Sequence, residues 1–123
     1  MNSFANFLWV GLGGGIGAVL RFVFSSMGKE TAFPYQTMLI NITGSFFIGL
    51  ILALSERSGF ISGPLKLFLA TGICGGFTTF SAFSLENMQL LRAGNFLTAG
   101  LYILMSVACC ITATFIGYKL INN

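Results

Sequence analysis

The sequence predicts an all-α membrane protein with four transmembrane helices, and three observations lead to this fold class. Of the 123 residues, 55% are hydrophobic and only 7% are charged, whereas a soluble domain carries about 25% charged residues. Six basic and three acidic side chains are too few to cover a globule of this size with a hydrated surface. The apolar residues also fall into four runs, each long enough to cross a hydrocarbon core about 30 Å thick as a helix. Membrane lipid is therefore expected to surround the chain.

The first two helices are predicted from runs that lie early in the chain. The first covers about residues 4–24 and contains no charge before Arg21. It is too long for the apolar part of a secretory signal and lacks an early basic residue, so it is expected to remain in the protein. Pro34 suits the entry to the second helix, which is predicted at about residues 35–54. The polar turn at residues 55–59 ends it.

The third and fourth helices complete the chain. The third is predicted at about residues 64–91, which is long for one straight span. A Gly94-Asn95 turn leads into the fourth, predicted at about residues 96–121. No composition shift or linker marks a second domain, so residues 1–123 are expected to form one transmembrane domain. A unit this small has little interior of its own, which predicts an oligomer.

The composition also excludes several classes of function. The chain has no histidine and no aspartate, so Ser/His/Asp triads and histidine-based metal sites are excluded, and the chain is not expected to be an enzyme. Its basic residues are scattered singly, which argues against nucleic acid as a partner. Cys74, Cys109 and Cys110 lie in apolar runs and are interpreted as small buried side chains.

The distribution of basic residues does not favour one orientation of the chain in the membrane. Each side of a four-span chain carries three of them: Arg57, Lys66 and Lys119 on the side of the termini, and Arg21, Lys29 and Arg92 on the other. Because an excess of Lys and Arg in cytoplasmic loops sets orientation, equal counts predict either that both orientations occur or that one small bias decides. A chain inserted both ways can pair as an antiparallel homodimer.

Small and polar residues interrupt the first two helices. The spacings Gly11-x-x-x-Gly15 and Gly13-x-x-x-Gly17 are typical of helices that approach closely in lipid. Arg21 either extends to the interface or draws anions to an entrance. In the second helix, Thr37, Thr43 and Ser45 can bond to their own backbone. Asn41 cannot satisfy its amide so easily, so it is interpreted either as a contact between helices or as a group lining a hydrated path.

The most informative stretch lies in the third helix, at residues 72–84. Gly75 and Gly76, followed by Thr78 and Thr79, predict a break near the middle of the membrane, where it must be buried or line a cavity. Discontinuous helices at this depth form ion sites, because exposed carbonyl groups bind cations and the start of a half-helix favours anions. A continuous helix with two tolerated glycines is the alternative.

Aromatic and hydroxyl side chains follow this break. Phe80 and Phe83 share one helical face, while Ser81 and Ser84 share an adjacent one. The Phe pair either packs or directs the positive edges of its rings at a small anion. Glu86 follows farther along the third helix, and its role stays open. In the fourth helix, Tyr102 and Ser106 are four residues apart and place hydroxyl groups on one face.

The sequence resembles the Fluc (CrcB) family of small bacterial fluoride channels over nearly its whole length. Three motifs carry this resemblance: GGIGAVLR at 14–21, NITG at 41–44 and GGFTTFSAFS at 75–84. The resemblance implies a multi-pass protein of the bacterial inner (cytoplasmic) membrane that forms a dual-topology, antiparallel homodimer with two fluoride pores, a broken third helix and a central structural sodium ion (Na+). Ala82 departs from the family pattern, in which a hydroxyl residue is usual.

The resemblance also implies roles for individual residues. Backbone carbonyls of Gly75 and Thr78 would hold the sodium ion, and Arg21 would lie at the pore vestibule. The residues implied to line the fluoride pore are Phe80, Phe83, Asn41, Ser81, Ser84 and Tyr102. From the residues alone, a small dual-topology multidrug exporter is the alternative, although the first helix lacks the acid which that class needs. A non-transporting assembly subunit would explain the glycines but not Asn41.

Overall fold

The computed structural model describes residues 3–61 and 63–123, and all regular secondary structure in these residues is helical. Four helical spans are long and apolar enough to cross a membrane, which confirms the predicted fold class. The third span, residues 63–92, consists of several segments. The elements are α1 (Ser3–Met27), α2 (Tyr35–Ser58), α3 (Gly63–Lys66), a π-helical segment (Leu67–Cys74), α4 (Gly75–Phe77), α5 (Phe80–Arg92) and α6 (Phe96–Ile121).

The third span is interrupted at Thr78 and Thr79, both of which have extended backbone conformations with ψ angles of 156° and 112°. The break predicted from Gly75 and Gly76 therefore occurs, but it lies slightly later in the chain. Gly75 itself is right-handed helical, with φ −64° and ψ −36°, and both glycines belong to α4. Within the predicted stretch, the break thus falls on the two threonines and not on the two glycines, and Gly76 instead packs closely against Gly14 of α1.

Glycines bring α1 and the first half of the third span into backbone contact. A Cβ atom on Gly13 would contact the Phe68 carbonyl oxygen and lie 2.9 Å from Gly72 Cα, and one on Gly76 would lie 3.0 Å from Gly14 Cα. Distances this short leave no room for a side chain, so the two helices cross at their glycines. This confirms close packing for the Gly13-x-x-x-Gly17 spacing.

Gly11 and Gly15, which have the same four-residue spacing, do not take part in this helix crossing. A Cβ atom on either residue would meet nothing within 4 Å, and both glycines are exposed. The two glycine spacings look alike in the sequence, yet only one faces the third span.

This difference provides a matched pair of variants. We expect Gly13→Ala to destabilise the protein by about 1–3 kcal/mol, because its methyl group overlaps the backbone of the third span. Gly15→Ala should leave stability unchanged or slightly raised. Thermal unfolding of the purified protein in detergent measures both variants. Equal destabilisation by the two substitutions would contradict the crossing described here.

The remaining pair of long helices, α2 and α6, also packs through glycines. A Cβ atom on Gly49 would contact the Thr114 carbonyl oxygen, and one on Gly117 would lie 3.0 Å from Leu50 N. The fold thus consists of two close helix pairs, α1 with the first half of the third span and α2 with α6. A groove remains between α2, the interrupted third span and α6.

Candidate functional site

The interruption of the third span borders the groove, which has a volume of about 360 Å³. Its lining includes both threonines of the interruption and several other residues named in the sequence analysis, among them Asn41, Phe80, Phe83 and Ser106. Polar side chains from α2 and α6 therefore meet the aromatic start of α5 in one cavity.

Asn41 binds the backbone of the interruption with both ends of its amide. Its Oδ1 atom accepts a hydrogen bond from Thr79 N at 2.8 Å, and its Nδ2 atom donates to the Thr79 carbonyl oxygen at 3.2 Å. The sequence left two interpretations of Asn41 open, and this geometry is that of a contact between helices. The amide replaces hydrogen bonds that the extended backbone cannot make within its own helix.

Other side chains complete the two ends of the interruption. Thr79 caps α5, because its hydroxyl oxygen accepts from Ala82 N at 3.1 Å. Arg21 Nε donates to the Gly76 carbonyl oxygen at 3.1 Å, near the end of α4, where a cation is favoured. Arg21 is thus anchored to the interruption, a contact between residues 55 positions apart that its place in the sequence does not indicate.

The same hydrogen bonds free two carbonyl groups. In a continuous helix, Thr79 N would donate to the Gly75 carbonyl oxygen and Ala82 N to that of Thr78. Here these two donors bind Asn41 Oδ1 and the Thr79 hydroxyl instead. The carbonyls of Gly75 and Thr78 thus lose their helical donors, and carbonyl oxygens are ligands that hard cations prefer. The carbonyl oxygens of Gly75 and Thr78 are therefore chemically suited to bind a small cation such as sodium.

The two phenylalanines after the interruption differ in burial. Phe80 is 77% exposed and contacts the Phe83 ring at a centroid distance of 5.3 Å. Phe83 is half-buried and also lies 5.0 Å from the ring centroid of Tyr102, which is fully buried. Phe80 is therefore not a core residue of this chain, whereas Phe83 packs on one side and faces the groove on the other.

Glu86 forms hydrogen bonds with two other helices. Its Oε2 atom accepts from the Tyr102 hydroxyl at 2.8 Å, and its Oε1 atom accepts from the Thr37 hydroxyl. Glu86 therefore does not extend freely to the membrane interface, and Thr37 does not simply bond to its own helix. Sequence reasoning missed this set of three residues because they lie on α2, α5 and α6.

The serines occupy different positions. Ser81 is exposed and lies 3.2 Å from the Thr79 hydroxyl. Ser84 lines a second cavity beside Phe83, not the main groove. Ser106 lines the main groove and is only 6% exposed, and within the described residues its buried hydroxyl has no hydrogen-bond partner. An unpartnered buried hydroxyl that faces a cavity indicates a place where a ligand or water binds.

These features define a multi-pass membrane protein with an interrupted helix at a polar and aromatic groove, an arrangement typical of proteins that move small ions. A family model described as CrcB-like protein, Camphor Resistance (CrcB), matches residues 8–118. The chain belongs to the CrcB-like family, which confirms the resemblance seen in its motifs.

Curated relatives cover nearly the same length. The chain is 47% identical over 114 residues to a fluoride-specific ion channel FluC of Azobacteroides pseudotrichonymphae, covering 90% of this chain and 91% of the relative. It is 48% identical over 119 residues to the protein of that name from Rhodopseudomonas palustris, covering 94% and 96%. With four membrane spans and bacterial channel relatives, the chain is a multi-pass inner-membrane protein and not an enzyme.

Proposed function

We propose that the chain is a fluoride-selective ion channel that lets fluoride leave the cytoplasm passively. The observation that carries this proposal is the combination of an exposed Phe80 ring, the adjacent Phe83 ring and the unpartnered Ser106 hydroxyl in one groove. The names of the curated relatives supply the identity of the ion.

The chemistry of the groove suits a small anion. Ring edges carry partial positive charge, and the Ser106 hydroxyl is a hydrogen-bond donor. Together they replace part of the hydration shell without a fixed cation that would retain the ion. Two of the predicted pore residues act on the groove indirectly. Asn41 holds the backbone of Thr79 by a hydrogen bond, and Tyr102 packs against the Phe83 ring. Ser81 and Ser84 lie outside the lining of the groove, and Arg21 binds the end of α4.

Ion flux from reconstituted liposomes tests this function. Liposomes loaded with potassium fluoride should release fluoride rapidly once valinomycin balances the charge, and liposomes loaded with chloride should not release chloride. Proton-coupled export of ethidium without fluoride release would favour the multidrug exporter. Protein that reconstitutes correctly but moves neither substrate would favour an assembly subunit.

An antiparallel homodimer would complete the groove. Phe80 and Gly75 are exposed in the single chain, although both border a site at the depth of the membrane interior. A second, inverted copy of the chain would cover these residues from the open side. The equal basic counts on the two sides support this arrangement, because they allow both orientations.

We expect two lysines added at the C-terminus to force most copies into one orientation and to abolish fluoride flux when this variant is expressed alone. Co-expression with a variant of the opposite bias should restore flux. Accessibility labelling of a terminal tag measures the orientation. Full flux from a uniformly oriented population would contradict the antiparallel dimer.

A structural sodium ion is the remaining part of the proposal. The carbonyls of Gly75 and Thr78, which lose their helical donors at the interruption, would bind it. The charge of the ion would offset the negative ends of these carbonyl dipoles in lipid.

We expect Gly75→Val to reduce fluoride flux and its dependence on sodium while the single chain folds normally. A Cβ atom on Gly75 would meet only the Ala70 carbonyl oxygen, at the ordinary distance of 3.8 Å, so the substitution crowds the ion site and not the fold. Flux assays in sodium and in a large organic cation, with Gly15→Ala as the control, measure the effect. Normal flux and unchanged sodium dependence would contradict the site.

A further inference from the structure

We propose that Gly44 of α2 is a positioning residue for the cation site, a role that rests on the sodium ion proposed above. Gly44 is buried, and a Cβ atom on it would overlap Thr78 Cγ2. The other near atoms, Phe77 Cδ1 at 3.5 Å and Thr78 Cβ at 3.7 Å, would lie at ordinary contact distances. The missing side chain of Gly44 therefore leaves a notch, bounded by Phe77, that receives the methyl group of Thr78.

The notch selects one orientation of the Thr78 side chain. In this orientation, the Thr78 hydroxyl donates to the Cys74 carbonyl oxygen at 2.9 Å, and the Thr78 backbone N–H donates to the same oxygen at 3.0 Å. Threonine in helices is divided between two χ1 rotamers. Because Gly44 accommodates the methyl group here, Thr78 keeps the rotamer in which both hydrogen bonds form.

The peptide group that follows Thr78 is held from the same helix. Thr79 N donates to Asn41 Oδ1 at 2.8 Å, and the N–H and C=O groups of a trans peptide point in opposite directions. The Thr78 carbonyl oxygen therefore points away from Asn41. Asn41 and Gly44 are three residues apart and share one face of α2. This face thus fixes Thr79 by hydrogen bonds and Thr78 by shape, and so orients the carbonyl that would bind the cation.

The notch predicts that a methyl group can be exchanged between the two helices. Gly44→Ala alone places a methyl group where that of Thr78 lies. Thr78→Ser alone keeps the hydroxyl but leaves the notch empty, so the serine side chain is free to rotate. In the double variant Gly44→Ala/Thr78→Ser, the alanine methyl fills the notch at ordinary contact distances. It also blocks the serine hydroxyl from turning away from Cys74.

Sodium-dependent thermal stability tests this role without a measurement of transport. Protein purified in detergent and choline chloride is titrated with sodium chloride, and the unfolding temperature is followed, because a ligand of the folded state raises it. The quantity compared is the sodium concentration that gives half of the full shift. We expect Gly44→Ala to raise this concentration at least about tenfold and Thr78→Ser about fivefold, while the double variant returns to within about twofold of the unmodified protein.

Gly49 provides a matched control on the same helix. A Cβ atom on Gly49 would contact the Thr114 carbonyl oxygen, and Gly49 does not line the groove. Gly49→Ala should therefore lower the unfolding temperature in sodium and in choline alike, and leave the half-shift concentration unchanged. A merely structural role of Gly44 predicts the same behaviour for Gly44→Ala.

Two results would overturn the positioning role: an unchanged half-shift concentration in Gly44→Ala, or a double variant that binds sodium no more tightly than Thr78→Ser. The second comparison decides the matter even where Gly44→Ala alone fails to fold. Absence of a sodium shift in unmodified protein that conducts fluoride would overturn the cation site and its positioning residue but not the channel. Conversely, the methyl exchange should still restore sodium binding in a protein that does not conduct fluoride.

Discussion

Phe80→Ile and Phe83→Ile should each leave the protein folded and assembled while reducing fluoride efflux by about tenfold or more. An aliphatic side chain of similar bulk preserves packing but has no positive ring edge. An aromatic contact of roughly 1.4 kcal/mol that is lost from the bound ion corresponds to about a tenfold change. The result should be clearest for Phe80, since its ring is largely exposed and contributes little to the core of the chain.

The chain offers a matched control for these variants. Phe47 also belongs to a ring pair, with its centroid 5.4 Å from that of Phe46, but it does not line the groove. Phe47→Ile should therefore change neither assembly nor efflux. Size-exclusion chromatography and liposome efflux must be measured on the same samples. Unimpaired efflux from well-assembled Phe80→Ile and Phe83→Ile proteins would mean that both rings serve packing alone.

Asn41→Leu should have the largest effect on stability, because it removes both partners of the Thr79 backbone. An unpaired N–H group and an unpaired carbonyl each cost about 1–3 kcal/mol when they are buried. We therefore expect the protein to lose its assembled form in detergent or to unfold at a markedly lower temperature, and fluoride efflux to be lost with it.

Two further variants separate the backbone role of Asn41 from a general effect on α2. Thr43→Val changes a nearby, exposed residue of the same helix and should have little effect. Asn41→Asp retains an acceptor for Thr79 N but places a carboxylate oxygen beside the Thr79 carbonyl, so this variant should also be clearly less stable than Thr43→Val. Thermal unfolding ranks the three variants. Asn41→Leu protein as stable as Thr43→Val protein would contradict the role assigned to the amide.

Local sequence patterns predicted the helices well because each depends on residues close together in the chain. Apolar runs and the signals at Pro34 and Gly94 indicated four spans. The glycine spacing in α1 indicated close packing, but two equivalent spacings were present, and only the fold shows that Gly13 and not Gly15 faces the third span. Which face of a uniformly apolar helix is buried cannot be read from hydropathy, since lipid and protein interior are equally apolar.

The site was harder to predict because its contacts join distant parts of the chain. The break was expected from Gly75 and Gly76, followed by Thr78 and Thr79. What the sequence did not indicate is that threonine side chains and Asn41 provide substitute hydrogen bonds, which stabilise an extended backbone at Thr78 and Thr79. Arg21 and Glu86 were recognised as unusual residues in a membrane span. Their partners lie on other helices and have no local signature.

The hydrogen bonds between α2 and the interruption also bear on the order of membrane insertion. Asn41 precedes Thr79 by 38 positions, so ribosomal synthesis delivers the amide of α2 to the membrane before the interrupted segment. When Thr79 arrives, the donor and acceptor that its backbone needs are already at the required depth. With the spans in reverse order, extended backbone would face lipid until its partner was made. The succession of spans thus gives the interrupted backbone its hydrogen-bond partners as soon as it enters the membrane.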